Sequence, residues 1–151
     1  MAEETKQSQE KKLAVVLVRG LVGVKHTVKN TINLLNLSRV NQCVIIDATP
    51  INLGMLKKAK DYITWGEVDD KTFQELVEKR GQEFKGVTQD LNGKYTYKKF
   101  FEFNSKKYKK VFRLNPPRKG FGRKGIKKPF NMGGSLGNRD KKMVDLIKRM
   151  L

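Results

Sequence analysis

Nucleophilic catalysis needs a nucleophile, a base and a group that orients them. This chain of 151 residues carries one histidine, His26, and one cysteine, Cys43. His26 follows Lys25 at a helix start, where it reads as a cap neighbour or a phosphate contact. Cys43 opens an apolar strand, CVIID (43–47), where a small core residue is the ordinary occupant. A tetrahedral zinc site takes about four Cys or His ligands, so one of each is too few. The glycines of RGLVG (19–23) and GGSLG (133–137) lack the lysine context of a phosphate-cradling loop, and the first lacks dinucleotide spacing. Beyond the opening twelve residues, paired carboxylates occur only as Asp69–Asp70, at a helix start. The chain reads as a protein without catalytic machinery, metal site or cofactor.

The stretch RLNPPRKGFGRKGIKKPF (113–130) is of another kind. It holds seven Lys or Arg and no acid, broken by three prolines and three glycines. Such a run buries no core and repels itself. On a polyanion, phosphates cancel the repulsion and released counterions drive binding. Glycines let the backbone approach, prolines reduce the ordering cost, and arginines fork onto phosphate or stack on bases. The alternative is a disordered basic tail. Against it stand Phe121, Ile126, Phe130 and a capped helix afterwards, which anchor the run at both ends.

Composition agrees. The net charge is +18 and the pI about 10.1, a surplus that points to a polyanionic partner. It is unevenly spread: residues 92–130 carry fourteen bases against one acid, and 69–91 carry four bases against six acids. No 18-residue apolar run exists to span a bilayer. The opening MAEETKQSQEKK has no apolar stretch of a signal peptide and reads as a flexible tail over 1–12. A lone cysteine fits a reducing compartment.

Elements must position these charges. LAVVLVRG (13–20) reads as a buried strand by its length and β-branching. HTVKNTINLLNL (26–37) puts Val28, Ile32 and Leu35 on one helical face, with Thr27 as N-cap and Asn36 in a left-handed terminal position. CVIID is a second strand. ATPINLGMLKKAKDY follows as a helix with Thr49 as cap and Pro50 at its first position. Gly54 inside it suggests close packing or a close ligand approach. YITWGEV (62–68) is a third strand, and DDKTFQELVEKRG (69–81) a helix with acids first and bases last. DLNGKYTYKKFFEFNSKKYKKVF (90–112) sets an Asn-Gly turn signal and seven aromatics among lysines, which predicts a small hairpin core, with base stacking as the alternative. Asn138 then caps a last helix, RDKKMVDLIKRML. The expected domains are the tail, a core over 13–86 and a basic extension over 87–151.

LVRG (17–20), LNLSRVNQCVIID (35–47), TPINLGM (49–55) and WGEV (65–68), in that order and spacing, resemble large-ribosomal-subunit protein thirty. RLNPPRKGF (113–121) and GGSLGNR (133–139) resemble the C-terminal extension of its longer archaeal–eukaryotic form, called large-subunit protein seven in eukaryotes. The resemblance implies an α+β fold: a β-α-β-α-β core with a three-stranded antiparallel sheet, loosely ferredoxin-like. It implies large-subunit ribosomal RNA near the 5S RNA as partner, with neighbouring ribosomal proteins. It implies no membrane, no small-molecule substrate and no cofactor. Carried over, RNA contacts fall on Arg19, Lys25, His26 and Arg39 around the core and on Arg113, Arg118, Lys119 and Arg139 in the extension. The composition of the basic run adds Arg123, Lys124, Lys127 and Lys128. The family often has arginine before the Gly-Met of its TP motif; here that place is Leu53.

The expected function is a structural part of the large ribosomal subunit in the cytoplasm. The alternatives are an assembly factor of the same family and, in a different class, a basic chromosomal DNA-binding protein.

Overall fold

A computed structural model describes residues 11–97 and 99–151. Most of the expected tail, residues 1–10, lies outside the described residues.

Strand β1 (Lys12–Leu17) is apolar on both faces because both faces are covered. Leu13, Val15 and Leu17 point into one cluster with Ile32, Leu37, Leu56 and Ile63. Ala14 and Val16 point the other way, onto Cys43, Leu76, Phe112, Leu146 and Ile147. The period-two alternation of a strand therefore divides one continuous hydrophobic run between two cores.

Two helices cover the first face. Helix α1 (His26–Leu34) contributes Ile32, and α2 (Pro50–Lys58) contributes Leu56. The start of α1 differs from expectation. Lys25 is the cap residue, and its carbonyl accepts from Val28 and Lys29 N–H at 3.0 Å each. Thr27 thus lies inside the first turn, where its own carbonyl accepts from Thr31 Oγ1 at 2.9 Å. Thr49 caps α2 as its sequence predicts, accepting from Asn52 N–H at 3.2 Å. Asn36 takes the left-handed conformation, φ 60°.

The sheet is wider than three strands. β1 pairs antiparallel with β2 (Gln42–Asp47) and β3 (Ile63–Glu67), as the resemblance implies. The extension then adds a strand at each edge. β6 (Val111–Arg113) lies antiparallel to β2, and β7 (Gly137–Asn138) lies parallel to β3. The order is β6-β2-β1-β3-β7, a five-stranded mixed sheet. Both edges of a bare three-stranded sheet would leave unpaired N–H and C=O groups, and the extension fills them.

The second face is covered by α3 (Asp70–Arg80) and α4 (Met143–Met150). Helix α4 buries Met143, Leu146, Ile147 and Met150 completely. Its entrance also departs from expectation. Asn138 sits in β7, and its Oδ1 accepts from Asp140 N–H at 3.1 Å, opening a short 3-10 turn over 140–142. That turn passes so close to β3 that a Cβ on Gly66 would strike the Asp140 carbonyl and come 2.6 Å from Met143 Cβ. The aromatic stretch forms the hairpin β4 (Phe100–Phe103) and β5 (Lys106–Lys109), turned at Asn104 and Ser105 with φ 47° and 62°. Phe101, Phe103 and Tyr108 pack on the second core.

Cys43 is fully buried between β1 and β6, and burial pushes its thiol up to about 12, a backbone hydrogen bond with Val15 opposing in part. The folded chain keeps this proton while an unfolded chain loses it near 9. Stability is then unaffected below pH 9 and falls as pH rises from 9 toward 12. A thiol reagent at pH 8 is expected to label Cys43 only in denaturant. Cys43→Ala should cost about 1 kcal/mol. Labelling of the native protein at the rate of a free thiol would contradict this packing.

Candidate nucleic-acid interface

Pairing directions place the charged loops. β1 ends, β2 begins, β3 begins, β6 ends and β7 begins at one end of the sheet. The loop after β1 carries Arg19, Lys25 and His26; the turn into β2 carries Arg39; β6 ends on Arg113. The whole basic loop, 114–136, leaves and returns at this same end, between β6 and β7. The opposite end holds Asp47 and Glu67 at strand ends and Asp69 and Asp70 at the start of α3. Two ion pairs sit there, Lys11–Glu67 at 2.9 Å and Lys12–Asp70 at 3.0 Å. The molecule is thus electrostatically polar along its strands.

Each predicted contact has a definite place. Arg19 is half-buried, its guanidinium 5.0 Å over the Tyr62 ring and donating to Asp61 O at 3.1 Å. Lys25 and His26 are exposed at the start of α1, with His26 Nε2 3.3 Å from Asn30 Nδ2. Arg39 is exposed, its backbone held by Gln42 Oε1, which accepts from Ser38 and Arg39 N–H at 2.8 and 3.0 Å. Gln42 pairs in register with Arg113, so Arg39 and Arg113 share one corner. Gly54 is exposed, and a Cβ there would meet nothing within 4 Å, so packing inside this chain is not its reason. Leu53 beside it is 37% exposed.

The basic loop has a backbone frame of its own. Its first limb lies along the end of α4: Asn115 and Arg118 N–H donate to Met150 O and Arg149 O at 3.0 and 3.1 Å. These carbonyls carry the negative end of the helix dipole, which suits a basic partner. Arg149 Nη1 returns to Arg118 O and Gly120 O at 3.2 and 2.9 Å. Farther on, Ser135 and Leu136 N–H donate to Lys128 O, and Lys124 N–H donates to Gly133 O. Held at these points, the loop leaves Arg118, Lys119, Arg123, Lys124, Lys127 and Lys128 exposed.

Arg139 is placed otherwise. It is 4% exposed. Its Nε donates to Thr64 Oγ1 at 2.9 Å, and its Nη2 donates to Phe121 O at 2.8 Å and Ser135 O at 3.1 Å. The guanidinium lies 4.6 Å over the Phe130 ring. Burial, with nearby Arg149, lowers its pKa to about 10, against the opposing pull of Asp145; it stays charged at neutral pH. Two further basic residues join this region: Arg149 from α4, and Lys142, whose Nζ lies 5.7 Å from the centroid of the Phe130 ring. Helical position relative to the loop, invisible in the sequence, brings them there.

At Gly134 the returning limb lies tight against Lys128. A Cβ there would strike the Lys128 carbonyl and stand 2.7 Å from Lys128 Cβ. Gly134→Ala should cost about 1–3 kcal/mol as an overpacked site and abolish slow amide exchange at Ser135 and Leu136. Unchanged protection of both protons would refute the close approach.

The family model described as ribosomal protein L30p/L7e matches residues 13–63. Large ribosomal subunit protein uL30 of Methanopyrus kandleri is 43% identical over 149 residues, covering 89% of this chain and 100% of that protein. The chain belongs to this family. Further members of similar likeness are uL30 of Methanococcus maripaludis, 43% identical over 151 residues, and of Nanoarchaeum equitans, 41% over 157. Each alignment covers 91% of this chain, and 98% and 97% of those proteins respectively, so the likeness reaches well beyond the segment that the family model matches.

Proposed function

We propose that the protein is a structural constituent of the large ribosomal subunit and that the basic end of its sheet lies on ribosomal RNA. One observation carries the reading: the bases of the loop after β1, of the turn into β2, of the end of β6 and of loop 114–136 all lie at one end of the sheet, while Asp47, Glu67, Asp69 and Asp70 lie at the other. Family membership supplies the partner, since the relatives are named as large ribosomal subunit proteins. The RNA contacts are Arg19, Lys25, His26, Arg39 and Arg113 around the sheet end, with Arg118, Lys119, Arg123, Lys124, Lys127 and Lys128 from the loop. Phosphate contacts position such a protein; they do not read sequence. Its place in the particle is near the 5S RNA, as the resemblance implies, among neighbouring ribosomal proteins in the cytoplasm. The role is mechanical: an aimed set of charges neutralises phosphates where RNA segments converge. Among the described residues no cluster of three or more His, Cys, Asp or Glu could hold a metal, and no helix is long and apolar enough to cross a membrane.

The test has two arms. Purified protein is titrated against protein-free archaeal large-subunit ribosomal RNA and against duplex DNA of equal charge, and tight preference for the RNA is expected. Equal affinity would sink the reading in favour of a DNA-compacting protein. In the second arm, salt-washed mature subunits should retain the protein. Its presence on precursors alone would make it an assembly factor.

A further inference from the structure

Arg139 was expected at a phosphate, yet its guanidinium is spent inside the fold. Its three acceptors come from three separate segments: Thr64 from β3, Phe121 from the outgoing limb of the basic loop, and Ser135 from the returning limb. Its backbone N–H donates to Trp65 O at 2.8 Å, which fixes the residue to the same strand. No other side chain among the described residues joins these three segments. We propose that Arg139 is a positioning residue for RNA binding: it ties both limbs of loop 114–136 to the sheet so that the exposed bases of the loop are already aimed, and it contacts no phosphate itself.

The choice of arginine follows from the geometry. A planar fork can serve acceptors in several directions at once, while an ammonium on a flexible stem cannot hold the same three. A cation beneath a loop of six cations is electrostatically unfavourable unless its donors are bonded. Three oxygens and the Phe130 face supply that. Without the tie, the loop's glycines and like charges favour a spread ensemble, and RNA must order it on binding. The consequence is lost affinity without loss of a phosphate contact.

This inference rests on the ribosomal-RNA reading for its binding arm, and the experiment separates the two. Wild type, Arg139→Met and Arg139→Lys are titrated against protein-free archaeal large-subunit ribosomal RNA, and against poly(U) as an unshaped polyanion, over a range of salt. Loss of pre-aiming is expected to weaken binding to the ribosomal RNA about tenfold in both variants, with poly(U) affinity changing less than about twofold. The log–log salt slope should stay at the wild-type value, because a phosphate contact would remove about 0.7–0.9 from it. In the free variants, amide protection at Lys124, Ser135 and Leu136 should vanish while that of β1 and β2 persists.

A slope reduced by one contact in Arg139→Met, or wild-type affinity in Arg139→Lys, would overturn the proposal. Thr64→Val guards against a variant that fails to fold. It removes the acceptor of Arg139 Nε, together with the hydroxyl's own 2.9 Å bond to Gly137 O, with no change of charge, and about three- to fivefold weaker binding at constant slope is expected, as for partial loss of pre-organisation. Wild-type affinity and protection in Thr64→Val would likewise count against the tie. If wild type itself fails to prefer ribosomal RNA over poly(U), the ribosomal reading fails instead, and the exchange experiment on the free proteins still decides whether Arg139 frames the loop.

Discussion

Replacing Arg118, Lys119, Arg123 and Lys124 together by alanine is expected to flatten the log–log salt dependence of ribosomal-RNA binding by about three, at roughly 0.7–0.9 per phosphate contact. At 0.1 M salt that corresponds to a loss on the order of a hundredfold or more in affinity. The four side chains are exposed at the end of the sheet where Arg19, Arg39 and Arg113 also lie, and none of the four makes an ion pair among the described residues. Their removal therefore leaves the fold intact and takes away only what faces the partner. Single replacements should each cost little, because a surface of many similar contacts shares the work. Arg118 is the exception: its N–H and C=O are both held by Arg149, and Pro117 before it is buried. A guanidinium aimed from so fixed a backbone gives bidentate geometry that lysine lacks, so Arg118→Lys should weaken binding nearly as much as Arg118→Ala. Titration of these variants at several salt concentrations is the measurement. An unchanged slope in the quadruple variant would mean that these charges stay in solvent.

The second large effect concerns the fold. Phe112→Ala is expected to destabilise the protein by about 3–5 kcal/mol, the range for truncating a buried phenylalanine. In a chain of this size that lowers the Tm of two-state unfolding by roughly 6–20 °C. Phe112 is 1% exposed, pairs in register with Cys43, and meets Phe101 at 5.9 Å between ring centroids. It belongs to the same buried cluster as Val16, Leu76, Leu146 and Ile147. The extension is thus part of the core, and residues after 110 carry much of what covers the second face of the sheet. Calorimetry on the variant decides the point. A shift under about 3 °C would show that the core over 13–86 is stable without its extension.

The strands and helices of residues 12–81 were legible in the sequence because each signal is local. Val-rich runs bounded by Gly, the Thr49-Pro50 cap and the acid-first, base-last ordering of α3 depend on neighbours a few residues away. A hairpin among the aromatics was expected, but its place was not legible: it turns at Asn104 and Ser105, while the Asn92-Gly93 signal lies within the single bridge Gln89–Thr96. The charge surplus that points to a polyanion was legible, since charge sums without reference to geometry. Where two local signals compete, the sequence is ambiguous: Thr27 and Asn138 both look like helix caps, yet Lys25 O already closes the first turn of α1, and Asn138 is taken by pairing with Trp65. The width of the sheet was not legible. β6 and β7 are three and two residues long, too short for a periodic signature, and they exist because unpaired strand edges 67 to 73 residues away in sequence accept them. The fate of Arg139 was decided in the same way. In the sequence it is one more base after GGSLGN, indistinguishable from Arg118 or Arg123. Only the fold brings Thr64, Phe121 and Ser135 to within 2.8–3.1 Å of its guanidinium and closes water out. A residue's type fixes that it carries charge; which side of the surface the charge lies on depends on contacts that no stretch of local sequence contains.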